Sequence, residues 1–163
     1  MARLRSAVLW LGLCACAGTL QPKLPTEPLE LALTRSDGRR VALSDLRGQP
    51  ALLLLFATYD EASQFVFAPL TRFAELEPRV QVLGVALQPD AKTFLKLFEE
   101  SVSLPFALYY DADNQVLHKQ TVLGAIDGVP ALVALDAAGK IRGVHYGIAT
   151  SEQLHLLAER ALD

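Results

Sequence analysis

Thiols are the most reactive side chains a protein of this size can deploy, and both cysteines of this chain sit near its start, at positions 14 and 16. From Ala17 to Asp163 there is no sulfur at all. The body of the chain is therefore read as having no disulfide, no thiolate nucleophile and no cysteine-ligated metal. Other groups remain that do chemistry elsewhere. Asp60 and Glu61 are adjacent carboxylates, which together with an imidazole present the ligands that divalent metals favour. The three histidines, His118, His145 and His155, fall in different predicted elements without ligand-like spacing. No metal site and no cofactor are expected from them. Ser63 lies in Glu61-Ala62-Ser63-Gln64-Phe65, without the flanking glycines of a nucleophile elbow, and a hydrolytic triad is not expected either.

The elements that must position these groups are bounded by composition. The chain has 163 residues, 52% apolar and 20% charged, with 10 Gly and 9 Pro. That suits one globular domain and excludes collagen, coiled coil and wholesale disorder. Fifteen basic against 18 acidic residues leave a net charge of −3, without the basic surplus that neutralises phosphates, so no nucleic-acid partner is expected.

Arg3 and Arg5 precede an apolar run from Ala7 to Ala17, the n- and h-regions of a secretory signal and too short to span a bilayer. Two processing routes fit. Leu13-Cys14-Ala15-Cys16 resembles a bacterial lipobox with Cys16 as the acylated residue; Cys14 as anchor would put bulky Leu13 at −1. Alternatively, Ala15-Cys16-Ala17 satisfies the small-x-small rule and would release a soluble protein from Gly18. Without the leader the body carries 13 basic and 18 acidic residues, a net −5. Anionic lipid would repel it, so a covalent lipid is the means of holding it at a membrane. Pro22, Pro25 and Pro28 among polar residues read as an extended tether.

Downstream, Ser36-Asp37-Gly38 separates Leu29–Leu33 from Val41–Leu43 as a hairpin turn, and Ser44 to Gly48 reads as a turn or single helical turn. Ala51–Phe56 and Val80–Leu87 are apolar runs of strands buried on both faces. Between them the spacing of Val66, Leu70, Phe73 and Ala74 predicts a helix over Ser63–Glu77, kinked by Pro69. Asp90 is predicted to cap a helix whose Phe94, Leu97 and Phe98 share one face. Phe106–Tyr110 reads as a strand, Gln115–Gln120 as a short helix, and Ala131–Leu135 with Ile141–Tyr146 as a hairpin across Asp136-Ala137-Ala138-Gly139-Lys140. Thr150 and Gln153 form a capping box for a last helix that buries Leu154, Leu157, Ala158 and Ala161.

This order resembles the thioredoxin fold, and within it the TlpA-like and redoxin (AhpC/TSA-type) branch. Leu43-Ser44-Asp45-Leu46-Arg47-Gly48 looks like the branch's opening turn, and Leu55-Phe56-Ala57-Thr58-Tyr59 like the Phe-Trp-Ala-Thr-Trp stretch before its active site. Gly128-Val129-Pro130 looks like its cis-proline loop, and Leu135 to Ile141 like the hairpin that follows. The resemblance implies a three-layer α/β/α sandwich with a central mixed sheet and an N-terminal β-hairpin extension. It also implies a Cys-x-x-Cys opening the first helix, and here the chain departs: those slots hold Asp60 and Ser63, or Asp60 and Gln64 in the Cys-x-x-x-Cys register of SCO-type copper chaperones.

Thiol–disulfide exchange needs an attacking and a resolving thiol, and peroxide reduction in this family passes through a cysteine sulfenic acid. Neither runs on a carboxylate and a hydroxyl. Asp60 is instead expected to cap the helix, with Glu61 adding a favourable first-turn charge. In the family, the residue before the cis-proline offers its backbone to an extended peptide, which makes Tyr59, Val129 and Pro130 the candidate binding groove for a protein or peptide partner.

The expected organisation is a signal peptide over 1–15, a lipidated Cys16 with its tether over 16–28, and a thioredoxin-like domain over 29–163, located in a bacterial cell envelope as a membrane-anchored lipoprotein or as a secreted soluble protein. The expected role is a binding or scaffolding module without its own dithiol chemistry. The alternatives are a thiol–disulfide oxidoreductase or redoxin activity as in the family, and SCO-like metal delivery.

Overall fold

A computed structural model describes residues 24–163. The expected signal peptide, Cys14, Cys16 and most of the expected tether lie outside the described residues. The chain runs through β1 (Ala32–Thr34), β2 (Arg40–Ala42), a 3-10 turn (Leu43–Leu46), β3 (Ala51–Phe56), α1 (Glu61–Leu76) and β4 (Gln81–Ala86). It continues through α2 (Ala91–Ser101), β5 (Ala107–Tyr110), β6 (Ala131–Leu135), β7 (Ile141–Tyr146) and α3 (Ser151–Leu162).

One mixed sheet results, in the order β2-β1-β5-β4-β3-β6-β7. Strands β3, β4 and β5 are parallel, as βαβ crossovers require, while β6 pairs antiparallel with β3 and β7 antiparallel with β6. The β1–β2 hairpin adds antiparallel to β5 through Thr34 and Tyr110. This is the thioredoxin-like α/β fold with its hairpin extension.

The sheet separates two apolar clusters. On one face Leu52, Leu54 and Phe56 meet Val66, Leu70 and Phe73 of α1, Leu95 of α2 and Leu154 and Leu157 of α3. On the other, Leu53, Leu55, Leu83 and Val85 meet Leu29, Leu31 and Leu33, Leu43 of the 3-10 turn, and Val116 of the segment after β5. All three helices thus lie on one face, and the second outer layer is built from irregular chain and the 3-10 turn.

Several local expectations need correction. Helix α2 buries Ala91 and Leu95 and rests Phe98 on the core, whereas Phe94 and Leu97 are exposed. Steps of 100° from Leu95 bring Ala91 and Phe98 to its side and carry Leu97 to the far one. Asp90 occupies the N-cap position but in the left-handed region (φ 56°), so its carboxylate makes no cap and its backbone carbonyl accepts from Thr93 instead. Residues Gln115–Gln120 form turns rather than a helix. Asp111 captures the Val116 N–H at 2.8 Å, and Lys119 enters the left-handed region at φ 58°. Pro69 sits inside α1 without ending it, leaving the Phe65 carbonyl without its helical donor. The Thr150–Gln153 capping box is present as expected.

The β6–β7 turn is held by one carboxylate. Asp136 Oδ1 accepts from the Ala138 and Lys140 N–H groups, both at 2.9 Å, and Oδ2 accepts from Arg142 Nε at 2.9 Å. Burial acts to raise the Asp136 pKa, but these hydrogen bonds and the Arg142 charge outweigh it and hold the carboxyl below its ordinary value of 3.8. A carboxylate with a lowered pKa stabilises the fold above its unfolded pKa, and that contribution is lost as pH falls through the folded value. Asp136→Ala is expected to cost about 2 kcal/mol at neutral pH. Urea unfolding repeated at decreasing pH should show the gap to wild type closing below about pH 4, where the unfolded carboxyl begins to bind its proton.

Candidate functional site

The parallel strands β3 and β4 end side by side, with Leu87 N–H donating to the Phe56 carbonyl at 2.9 Å. Beyond Phe56 the chain must turn into α1, and the helix brings N–H groups that have no intrahelical partner. Asp60 answers one of them: its Oδ2 accepts from Ser63 N–H at 2.7 Å, with the residue in the extended backbone region a cap requires. Ser63 is fully buried, and its Oγ accepts from Ala57 N–H at 3.3 Å. Gln64 reaches back and donates from Nε2 to the Thr58 carbonyl at 2.7 Å. Asp60, Ser63 and Gln64 therefore all brace the loop of residues 57–60.

Gln88, which sequence reasoning missed, completes the brace. It is 4% exposed, accepts from Thr58 N–H through Oε1 and donates from Nε2 to Thr58 Oγ1 at 2.9 Å. Both ends of one buried amide are thus satisfied by a single residue across the strand ends. The available signal was a glutamine directly after the apolar β4 run, where burial demands a partner.

Beside this closed network stands an open one. Extending the β3–β6 register (Leu55 opposite Ala131) by two residues places Val129 opposite Ala57, next to the start of α1. The Val129–Pro130 bond is cis, Pro130 is buried, and its carbonyl accepts from Gly147 N–H at 2.8 Å. Val129 is half-buried, and neither its N–H nor its C=O finds a partner among the described residues. Tyr59 is 71% exposed at the same end of the sheet. The structure thus brings Tyr59, Asp60, Ser63 and Val129–Pro130 together around one helix N-terminus.

The histidines are not brought there. His118 lies exposed in the turns after β5, His145 on β7 faces the Ile148 carbonyl at 3.4 Å, and His155 stands edge-on to Phe73 at 5.5 Å. Glu61 is exposed in the first turn of α1. Among the described residues no three His, Cys, Asp or Glu side chains gather as a metal site would need. No described helix is long and apolar enough to cross a membrane.

Fold and site together define a thioredoxin-like domain whose first helix starts at a carboxylate cap. The AhpC/TSA family model matches residues 25–144, and the chain belongs to that family. Solved structures similar to it include a thiol:disulfide interchange protein of the thioredoxin family from Chlorobium tepidum (16% identity, 88% of this chain and 100% of that one, TM-score 0.69). The exposed lipoprotein thioredoxin Etrx1 of Streptococcus pneumoniae is similar at 18% identity, over 80% of this chain and 98% of that one, with TM-score 0.66. A secreted Mycobacterium tuberculosis disulfide oxidoreductase homologous to E. coli DsbE matches at 20% identity, over 80% and 93%, with TM-score 0.64. At these identities the likeness shows the fold. No curated protein matches the chain.

If Gln88 is the clasp of the loop, Gln88→Ala should cost about 1–3 kcal/mol, because it leaves the Thr58 N–H without its acceptor. Tyr59→Ala at the exposed neighbour should stay within about 0.5 kcal/mol of wild type. Denaturant unfolding checks both, and amide exchange should accelerate at Thr58 in Gln88→Ala.

Proposed function

We propose that this chain is an exported, lipid-anchored thioredoxin-fold protein that performs no dithiol chemistry of its own and serves as a binding or scaffolding module. The supporting observation is the division of labour at the start of α1. The positions that hold sulfur in active relatives, Asp60 with Ser63 or Gln64, are committed to the loop's own hydrogen bonds. The adjacent Val129 has an N–H and a C=O without a partner among the described residues. An extended peptide laid against Val129 satisfies those two groups by short β-augmentation, and Tyr59 and Pro130 flank it with apolar surface.

Export and anchoring rest on the Arg3–Ala17 leader and Cys16. Two of the structural neighbours, described as an exposed lipoprotein and as secreted, lend this address support. A second reading, favoured by membership of the AhpC/TSA family, is thiol–disulfide chemistry run on thiols that a partner supplies. SCO-like delivery of a metal finds no gathered donor set among the described residues.

Insulin reduction with dithiothreitol tests the first reading. The purified chain is expected to give no turnover above buffer, and appreciable turnover would overturn the proposal. Restoring sulfur should restore chemistry: Asp60→Cys with Ser63→Cys is expected to gain measurable dithiol activity, because both thiols then stand at a helix N-terminus that favours thiolate. Activity from Asp60→Cys with Gln64→Cys in place of that pair would assign the copper-chaperone register.

A further inference from the structure

The two edges of the sheet are defended unequally. At one edge β2 has three residues, and a strand that short is a poor template for another chain. At the other, β7 runs for six residues without a proline or lysine. Its one charged side chain, Arg142, is folded back onto Asp136. Gly147 N–H bonds the Pro130 carbonyl, and antiparallel alternation then turns Gly143 and His145 toward β6. The N–H and C=O groups of Val144 and Tyr146 therefore point outward, away from the sheet.

A cavity of about 930 Å³ runs along this outer edge. Leu24 lines it, with Val122 and Leu123 of the segment after β5, which pack on one face of the sheet, and Arg160 of α3, which packs on the other. Arg160 lies over Gly143, close enough that its guanidinium would stand 3.4 Å from a Cβ placed there. Among the described residues no carboxylate pairs with it. At the turn end the edge already takes an extended chain: Leu29 N–H donates to the Gly139 carbonyl at 2.8 Å, and Pro28 bridges Lys140. The chain then bends at Thr26 and Glu27, so that Leu24 and Pro25 line the cavity rather than extend the ladder.

We propose that the outer edge of β7 is a docking site for an extended segment of a partner polypeptide in which apolar and acidic side chains alternate. The added strand bonds the backbone of Val144 and Tyr146. Strand alternation sends its side chains to the two faces in turn. Those toward the loop meet Val122 and Leu123, and those toward α3 meet Arg160, which a carboxylate neutralises. Asp127 also lines the cavity and disfavours acid on the loop side. The chain's own residues before Leu24 suit the edge poorly, since Pro22 lacks an N–H and Lys23 has the same sign as Arg160. This site is separate from the Val129 groove and does not depend on that reading.

The probe is a fluorescein-labelled, end-blocked hexapeptide alternating Val and Glu, titrated by anisotropy against the purified full chain. It is expected to bind at least tenfold more tightly than the Val/Lys peptide, and Arg160→Glu should reverse that order. N-methylation of the amides along one edge of the probe should abolish binding. Val144→Pro, which removes an outward N–H without touching a β6 bond, should do the same while leaving the circular dichroism unchanged. If Val144→Pro does not fold, Arg160→Glu and the methylated probe still decide the matter. Three results would overturn the proposal: no saturable binding of the Val/Glu peptide, equal affinity in wild type and Arg160→Glu, or displacement of the probe by a synthetic peptide of residues 18–23. Sedimentation showing a dimer that Arg160→Glu dissolves would give the edge to a second copy and overturn it as well.

Discussion

Strand β3 offers water no face. Its six residues, Ala51–Phe56, are buried on both sides of the sheet, and each fully buried leucine contributes about 1.5–3 kcal/mol only when something apolar covers it. The sheet therefore needs two outer layers. Helices supply one with their internal hydrogen bonds already made. The other is irregular chain, which can enter an apolar layer only if its backbone is satisfied otherwise. That condition explains why Leu29 donates to Gly139, Leu43 to Leu31 and Val116 to Asp111. The long path from Asp111 to Val129 is thereby fixed over β3, and the Val129–Pro130 segment arrives beside α1 as a consequence of core coverage.

At the start of α1 the same accounting has a different outcome. Free N–H donors and the helix dipole create a field that stabilises negative charge, and in a dithiol enzyme that field favours thiolate. Here a carboxylate takes it up. The Asp60 cap contributes about 0.5–2 kcal/mol, and Ser63, Gln64 and Gln88 extend the arrangement into a closed set around Thr58. In this chain the start of the helix is engaged in holding a loop in place. Val129 lies outside that closed set, and its two backbone groups are what the turn leaves available.

Much of the fold was legible because the strongest signals are local. Ala131–Leu135 and Ile141–Tyr146 are continuous runs around an Asp-x-x-Gly turn, and the expected bounds match the strands residue for residue. The Thr150–Gln153 box is likewise set by neighbours three residues apart. Misreadings came where a distant contact decides. Phe94 and Leu97 satisfy a helical apolar stripe, but Leu95 wins the core because the strand surface beneath α2 accepts its side of the helix. Gln115–Gln120 has helical composition, yet Asp111 takes the Val116 N–H first. Gln88 could be seen as a polar residue ending an apolar strand, but its partner lies 30 residues away, and no periodicity carries that information. For the site, sequence singled out Asp60, Ser63, Gln64 and Val129–Pro130, while the hydrogen bonds that engage each side chain required the third dimension.

Both open features of the molecule are made of main chain. Each consists of peptide groups left unpaired where a strand ends or a sheet stops, among the described residues. Val129 precedes β6, and the outer groups of Val144 and Tyr146 belong to β7, its hairpin partner. Tyr146 lies opposite Ala131, two residues beyond Val129, so a strand added outside β7 would pass about 10 Å, two strand spacings, from the Val129 backbone. The two features therefore lie near one corner of the sheet, where the Gly147–Pro130 bond holds the end of β7 to the start of β6. Main-chain recognition is indifferent to most side chains, so specificity at this corner must come from what flanks it. Tyr59 and Pro130 provide an apolar flank at one place, and Arg160 a cationic one at the other. Selection at the β7 edge would then follow from the order of apolar and acidic residues along the added strand.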